Sequence, residues 1–132
     1  MVLLVLDASV IVKWFFDSPE ESGRDISLEL KNAHADGKIK IVVPTYAIYE
    51  ITNALRFSKH NLDKDLIFQA LDMLKSLNLR EYHLDDKFLK RSIELSLDYG
   101  ISVYDAFYIA LAEKLICELI TADMIMVRKV KK

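Results

Sequence analysis

The chain has one cysteine, two prolines and three glycines in 132 residues. A lone thiol, Cys117, excludes an internal disulfide and cannot build a zinc site by itself. Its apolar, strand-like surroundings predict a buried structural thiol. So few glycines and prolines leave little room for irregular loops. There is no apolar run of the about 20 residues that a membrane span needs. The apolar start Met1-Val2-Leu3-Leu4-Val5-Leu6 has no basic flank and is interrupted at Asp7 and Lys13, unlike a targeting segment. The expectation is a soluble, cytoplasmic protein. A Gly-rich phosphate loop and a G-x-S-x-G elbow are absent, as are repeats and low-complexity tracts. His34, His60 and His83 lack metal-ligand spacing and read as helix-end or strand residues. A net charge of −2 does not mark a nucleic-acid binder by bulk charge. The tail Arg128-Lys129-Val130-Lys131-Lys132 is nevertheless basic, either a solvated end or a flap that contacts phosphate.

What the chain does have is a 52% apolar composition, enough for one domain with a real core. Strand signals are short and apolar on both faces: residues 2–6, 39–43, 80–84 and 118–121. Such strands belong in a sheet covered on both sides, hence parallel. Helix signals lie between them. Ser18-Pro19-Glu20-Glu21 reads as a capping box opening a helix that ends at Gly37. Further helices start after Pro44, at Asp63, at Asp85 or Asp86 (running to Gly100), and at Ser102. A short last helix covers 123–130. Alternating strands and helices predict a three-layer α/β/α domain around a short, mainly parallel sheet of four to five strands.

Against that frame, four carboxylates stand in the most apolar surroundings: Asp7, Glu50, Asp105 and Asp123. Acids rarely sit among core residues unless something pairs with them. Each has a bland alternative. Asp7 can cap a helix over 9–16, Asp105 can complete a Ser102 capping box, and Asp123 can cap the last helix. Glu50, flanked by Tyr46, Ile48, Tyr49, Ile51, Ala54 and Leu55, has no obvious surface role. Ligands of such sheets bind outside the carboxyl ends of the strands, where Asp7 and Asp123 fall. Two like charges about 4 Å apart repel by about 4 kcal/mol at an effective dielectric of 20. A cluster must therefore take up protons or bind a cation. All-oxygen donors select Mg²⁺ or Mn²⁺ over zinc, and such a site suits phosphodiester hydrolysis. Ser9 and Thr121 flank the acids at two-residue spacing, and Asn53 lies one turn after Glu50. These three are the candidates to orient the carboxylates or their waters. Trp14, Phe15 and Phe16 read as core packing rather than a base-stacking platform.

Four segments, in order, resemble the motifs of the PIN-domain ribonucleases, in particular the VapC-type toxins of prokaryotic toxin–antitoxin pairs. They are Val5-Leu6-Asp7-Ala8-Ser9-Val10-Ile11-Val12-Lys13-Trp14, Glu50-Ile51-Thr52-Asn53-Ala54-Leu55, the run from Ser102 to Glu113, and Leu119-Ile120-Thr121-Ala122-Asp123. The resemblance spans essentially the whole chain. It implies metal-dependent endoribonuclease activity with Mg²⁺, or Mn²⁺ in its place. It also implies a homodimer, RNA as substrate, and a small cognate VapB-like antitoxin seated near the site. On that likeness Asp7, Glu50, Asp105 and Asp123 are both the catalytic and the metal-ligand residues. Two rivals remain: a PIN-like module that binds partners without catalysis, and a phosphatase of the haloacid-dehalogenase type. The second wants an Asp two residues after the first, where this chain has Ser9. The helices over 63–77 and 86–98 are the candidate self-association surfaces.

Overall fold

The computed structural model describes residues 1–16 and 22–130. Four strands, β1 (Val2–Leu6), β2 (Ile39–Pro44), β3 (Arg80–Tyr82) and β4 (Glu118–Ile120), form one sheet in the order β3-β2-β1-β4. Every pairing is parallel. Helices α1 (Ala8–Ile11), α2 (Arg24–Ala35), α3 (Ala47–Arg56), α4 (Lys64–Ser76), α5 (Asp86–Tyr99), α6 (Val103–Leu115) and α7 (Met124–Val130) complete the three-layer α/β/α architecture, with a 3₁₀ turn at Val12–Phe15 after α1. The Ser18 capping box lies outside the described residues. The helix that ends near Gly37 is seen from Arg24 onward.

Local chemistry explains most boundaries. Asp63 and Asp85 accept from Leu66 N (2.9 Å) and Phe88 N (2.8 Å), and Ser102 accepts from Asp105 N (3.0 Å); each satisfies an amide that the helix start would leave unpaired. At the other end of α2, Gly37 takes φ +76°, and Lys38 N reaches Ala33 O at 2.9 Å. This is the left-handed cap that a residue without Cβ adopts at no steric cost. β1 and β2 are buried where the sheet is central: Val5, Leu6, Ile41, Val42 and Val43 have no exposed surface. Burying one such side chain is worth about 1.5–3 kcal/mol, so the end of β1 is firmly anchored. α6 lies over β1 and β2, and α5 packs on α6.

The strand order fixes where a ligand belongs. From β1 the chain builds outward through β2 to β3, then returns to place β4 on the other side of β1. The order thus reverses between β1 and β4. Crevices outside the carboxyl ends of strands at such a reversal are where open α/β sheets bind ligands.

One expectation changes and another gains detail. Cys117 is half-buried rather than buried, because it lies in the turn between α6 and β4 and not inside the strand. His34 is more than a helix-end residue. Its ring is buried, with Nδ1 accepting from Ile41 N (3.1 Å) and Nε2 donating to Leu77 O (2.7 Å). A neutral imidazole is required for that pairing, and it pins α2 to β2 and to the end of α4.

Candidate active site

Asp7 follows β1 directly and is 6% exposed. Its amide donates to Ile120 O of β4 (3.3 Å), and its carbonyl starts α1 by accepting from Val10 N and Ile11 N. The carboxylate makes no capping hydrogen bond, although the nearby Val10 amide still favours its charged form. It accepts instead from Ser9 Oγ at Oδ1 (2.5 Å) and from Thr121 Oγ1 at Oδ2 (2.5 Å). The two hydroxyls are themselves fixed: Ala122 N donates to Ser9 Oγ and Asp123 N to Thr121 Oγ1, both at 3.0 Å. An amide can only donate, so each hydroxyl gives it a lone pair and turns its proton to Asp7. Ser9 and Thr121 therefore lock the carboxylate and the β4–α7 turn together. Despite both bonds, burial raises the Asp7 pKa above its ordinary value, and the Asp105 charge adds to this.

Glu50 comes from the first turn of α3. Its pKa is pushed up to about 7, chiefly by burial, against a hydrogen bond from Tyr108 that lowers it and with the charges of Asp105 and Asp7 adding to the rise. Tyr108, 1% exposed, donates from its hydroxyl to Glu50 Oε1 at 2.9 Å. Its own pKa is raised, by burial and then by the Glu50 charge, so the phenol stays a donor. Asp105, half-buried in the first turn of α6, is raised by burial and by Asp123 and lowered by the Ser102 hydroxyl and Lys129. Lys129 comes from α7, and its ammonium donates to Gly100 O (2.9 Å) just ahead of α6.

Asp7, Glu50 and Asp105 thus act on one another electrostatically, and Asp123 acts on Asp105. All four lie at the carboxyl edge of the sheet. The bland reading of Asp123 is also realised, since its Oδ1 accepts from Met126 N (3.1 Å) at the start of α7. Asn53 does not reach Glu50. It is exposed on α3, and the partner Glu50 uses is Tyr108. Sequence reading missed that tyrosine. The signal was its place three residues after Asp105 in an otherwise apolar helix, where a buried hydroxyl must find an acceptor. Trp14 and Phe16 are buried as expected, and the indole donates to Ser27 O (2.9 Å).

Among the described residues, no three His, Cys, Asp or Glu side chains converge into a ready-made cation cage. The donors still fit a hard divalent cation. They are carboxylates that raise one another's pKa, and an ion that keeps several waters needs only one or two direct protein oxygens. Asp7 and Asp105, with Glu50 and Asp123 directly or through water, are the groups able to hold it.

The PIN domain family model matches residues 4–132. The chain belongs to the PIN-domain family. Among curated proteins, this PIN domain is 29% identical over 126 residues to Ribonuclease VapC3 of Pyrobaculum aerophilum, covering 91% of this chain and 88% of that one. Its fold is shared with the Mycobacterium tuberculosis toxin VapC20, which cleaves the sarcin–ricin loop (TM-score 0.72, 12% identity, 95% and 93% of the two chains). A second solved chain, from P. aerophilum, aligns with TM-score 0.65 and 23% identity over 97% of this PIN domain and 86% of its own length. At these identities the structural likenesses speak for the fold.

Proposed function

We propose that this PIN domain is a metal-dependent endoribonuclease of the VapC type, the toxin half of a toxin–antitoxin pair. One observation carries the reading: at the crevice where the strand order reverses, the charge of Asp105 reaches buried Asp7, and the charges of Asp105 and Asp7 both reach Glu50. The likeness to a protein named as a ribonuclease supports the same chemistry. Mg²⁺ is the proposed ion, with Mn²⁺ able to replace it, held by Asp7 and Asp105 and, directly or through water, by Glu50 and Asp123. When bound, the ion supplies charge neutralisation, a water of lowered pKa and a counter-charge for the leaving oxygen.

The chain's own residues do the rest. Ser9 and Thr121 hold both Asp7 oxygens in one orientation. Tyr108 fixes Glu50 Oε1 and leaves Oε2 for the ion or a water. Lys129, clamped to the turn before α6, puts a positive charge beside Asp105, where a phosphate can use it. RNA is the substrate in this reading, and the protein works in the cytoplasm. No helix among the described residues is long and apolar enough to cross a membrane. A homodimer and a VapB-like antitoxin are the partners. Leu66, Phe68 and Met73 on α4 and Leu89, Ile93 and Leu97 on α5 are exposed apolar side chains for such contacts to cover.

The test is cleavage of purified RNA with Mg²⁺ or Mn²⁺ and with chelator. Cleavage should require the ion and vanish in Asp7→Asn and in Asp105→Asn. Cutting that survives both substitutions overturns the assignment. Light scattering of the purified chain checks the dimer, and a monomer would remove that part.

A further inference from the structure

Beside the acids stands a group of tyrosines that the chemistry above does not use. Tyr46 and Tyr104 stack face to face, with ring centroids 4.8 Å apart and planes 13° apart. Tyr49 lies 6.1 Å from Tyr46. Phe107 supports the stack from below, edge-on to Tyr46 (6.2 Å, 63°) and to Tyr104 (6.0 Å, 75°), and itself stacks on Phe88. Phe88 and Phe107 are buried, whereas Tyr104 is 50% and Tyr49 68% exposed. The upper rings are thus wet and the lower ones are core.

Their position links them to the site. Tyr46 precedes Glu50 by one helical turn, and Tyr104 immediately precedes Asp105. The stacked pair bridges the starts of the two helices that carry those acids. Exposed aromatic surface on a rigid aromatic base, next to a site for phosphate, matches the way single strands are held: bases stack on rings while the backbone runs past charge. A helical protein partner would call for an aliphatic groove along a helix. These rings instead cluster at helix ends around the acids.

We propose that Tyr49 and Tyr104, backed by Tyr46 and Phe107, form a shelf on which an unpaired base adjoining the cleaved phosphate stacks. This rests on the RNA-cleaving reading and adds to it. The shelf makes unstacked bases a condition of tight binding, and it selects by π-face rather than by base edge.

The experiment compares cleavage of one RNA sequence, presented unpaired or in a duplex, by the wild type, Tyr49→Leu, Tyr104→Leu, Tyr49→Phe and Tyr104→Phe. For the unpaired RNA, each Leu variant should raise KM on the order of tenfold with kcat little changed. The Phe variants keep the ring and should keep the wild-type KM. Tyr49 is a surface residue, so its variants fold whatever becomes of Tyr104. The shelf is overturned if the Leu variants bind unpaired RNA as the wild type does, or if the Phe variants lose as much as the Leu variants. In those cases the nuclease reading stands so long as Asp105→Asn abolishes cutting. A wild type that cuts neither RNA sinks the nuclease reading instead. The shelf is then judged by quenching of a 2-aminopurine-labelled single strand, expected with wild type and lost in Tyr104→Leu; no quenching by wild type overturns it.

Discussion

Three aspartates lead into helices with nearly the same backbone. Asp63 has φ −80° and ψ 172°, Asp85 has −97° and 175°, and Asp7 has −86° and 173°. Two of them do what the position invites, and their carboxylates cap α4 and α5. Asp7 declines the cap. Its carboxylate is turned into a buried corner, held by two hydroxyls and set near Asp105. The backbone is equally ready in all three places, so the difference lies in side-chain surroundings. At α4 and α5 an acid makes the fold more stable, whereas at α1 it is kept where its charge is costly. A charge held at a cost and not needed to start its helix is what the proposed metal site calls for.

The largest effect that would sharpen this contrast is on cleavage. Asp7→Asn should lower RNA cleavage by roughly a hundredfold or more, since even residues that only orient metal ligands are worth 10- to 100-fold. Its metal-free Tm should hold or rise, because a buried charge facing Asp105 is gone. A clear fall in Tm would mean that Asp7 belongs with Asp63 and Asp85. Next come the hydroxyls. Thr121→Val should cost about 10- to 100-fold in cleavage, through loss of carboxylate orientation, with the fold intact by circular dichroism. Wild-type cleavage in that variant would detach Thr121 from the site.

Smaller and opposite in kind are the capping acids. Asp63→Ala and Asp85→Ala should each lose about 1 kcal/mol of stability, or about 4 °C in Tm, and retain cleavage. The smallest effect is in pH. Glu50 has a pKa of about 7 in the fold against 4.5 for the free side chain. A carboxyl so raised binds its proton more tightly when folded, so its contribution is full below pH 4.5 and is lost as the pH rises through 7. The metal-free wild type should therefore lose Tm relative to Glu50→Gln between pH 5 and pH 8. Equal Tm differences at both pH values would contradict the raised pKa.

Much of this was legible in residue order because the signals are local. Continuous apolar strands gave away the parallel sheet. Asp63, the pair Asp85-Asp86 and Ser102 marked helix starts, and Gly37 and Gly100 marked ends. The end of α6 carries no such mark. There Ile116 takes φ +52°, and Cys117 N still reaches Ala112 O at 3.1 Å. A β-branched residue rarely adopts that conformation, so no propensity argument finds it. The candidate site was legible as a set of misplaced acids with hydroxyls at short spacing. Its long-range pairings were not. Tyr108 meets Glu50 across 58 residues, and Thr121 meets Asp7 across 114. Asn53 was expected on the Glu50 face from helical spacing alone, yet it points to solvent. Spacing on one helix says nothing about which partner a second helix brings.

The central claim is that the misplaced acids hold a divalent cation, and calorimetric titration with Mn²⁺ near neutral pH tests it most directly. Wild-type protein and Asp63→Ala should bind the ion alike, and Asp7→Asn should bind it far more weakly or not at all. No binding by wild type, or equal binding by Asp7→Asn, would contradict the account.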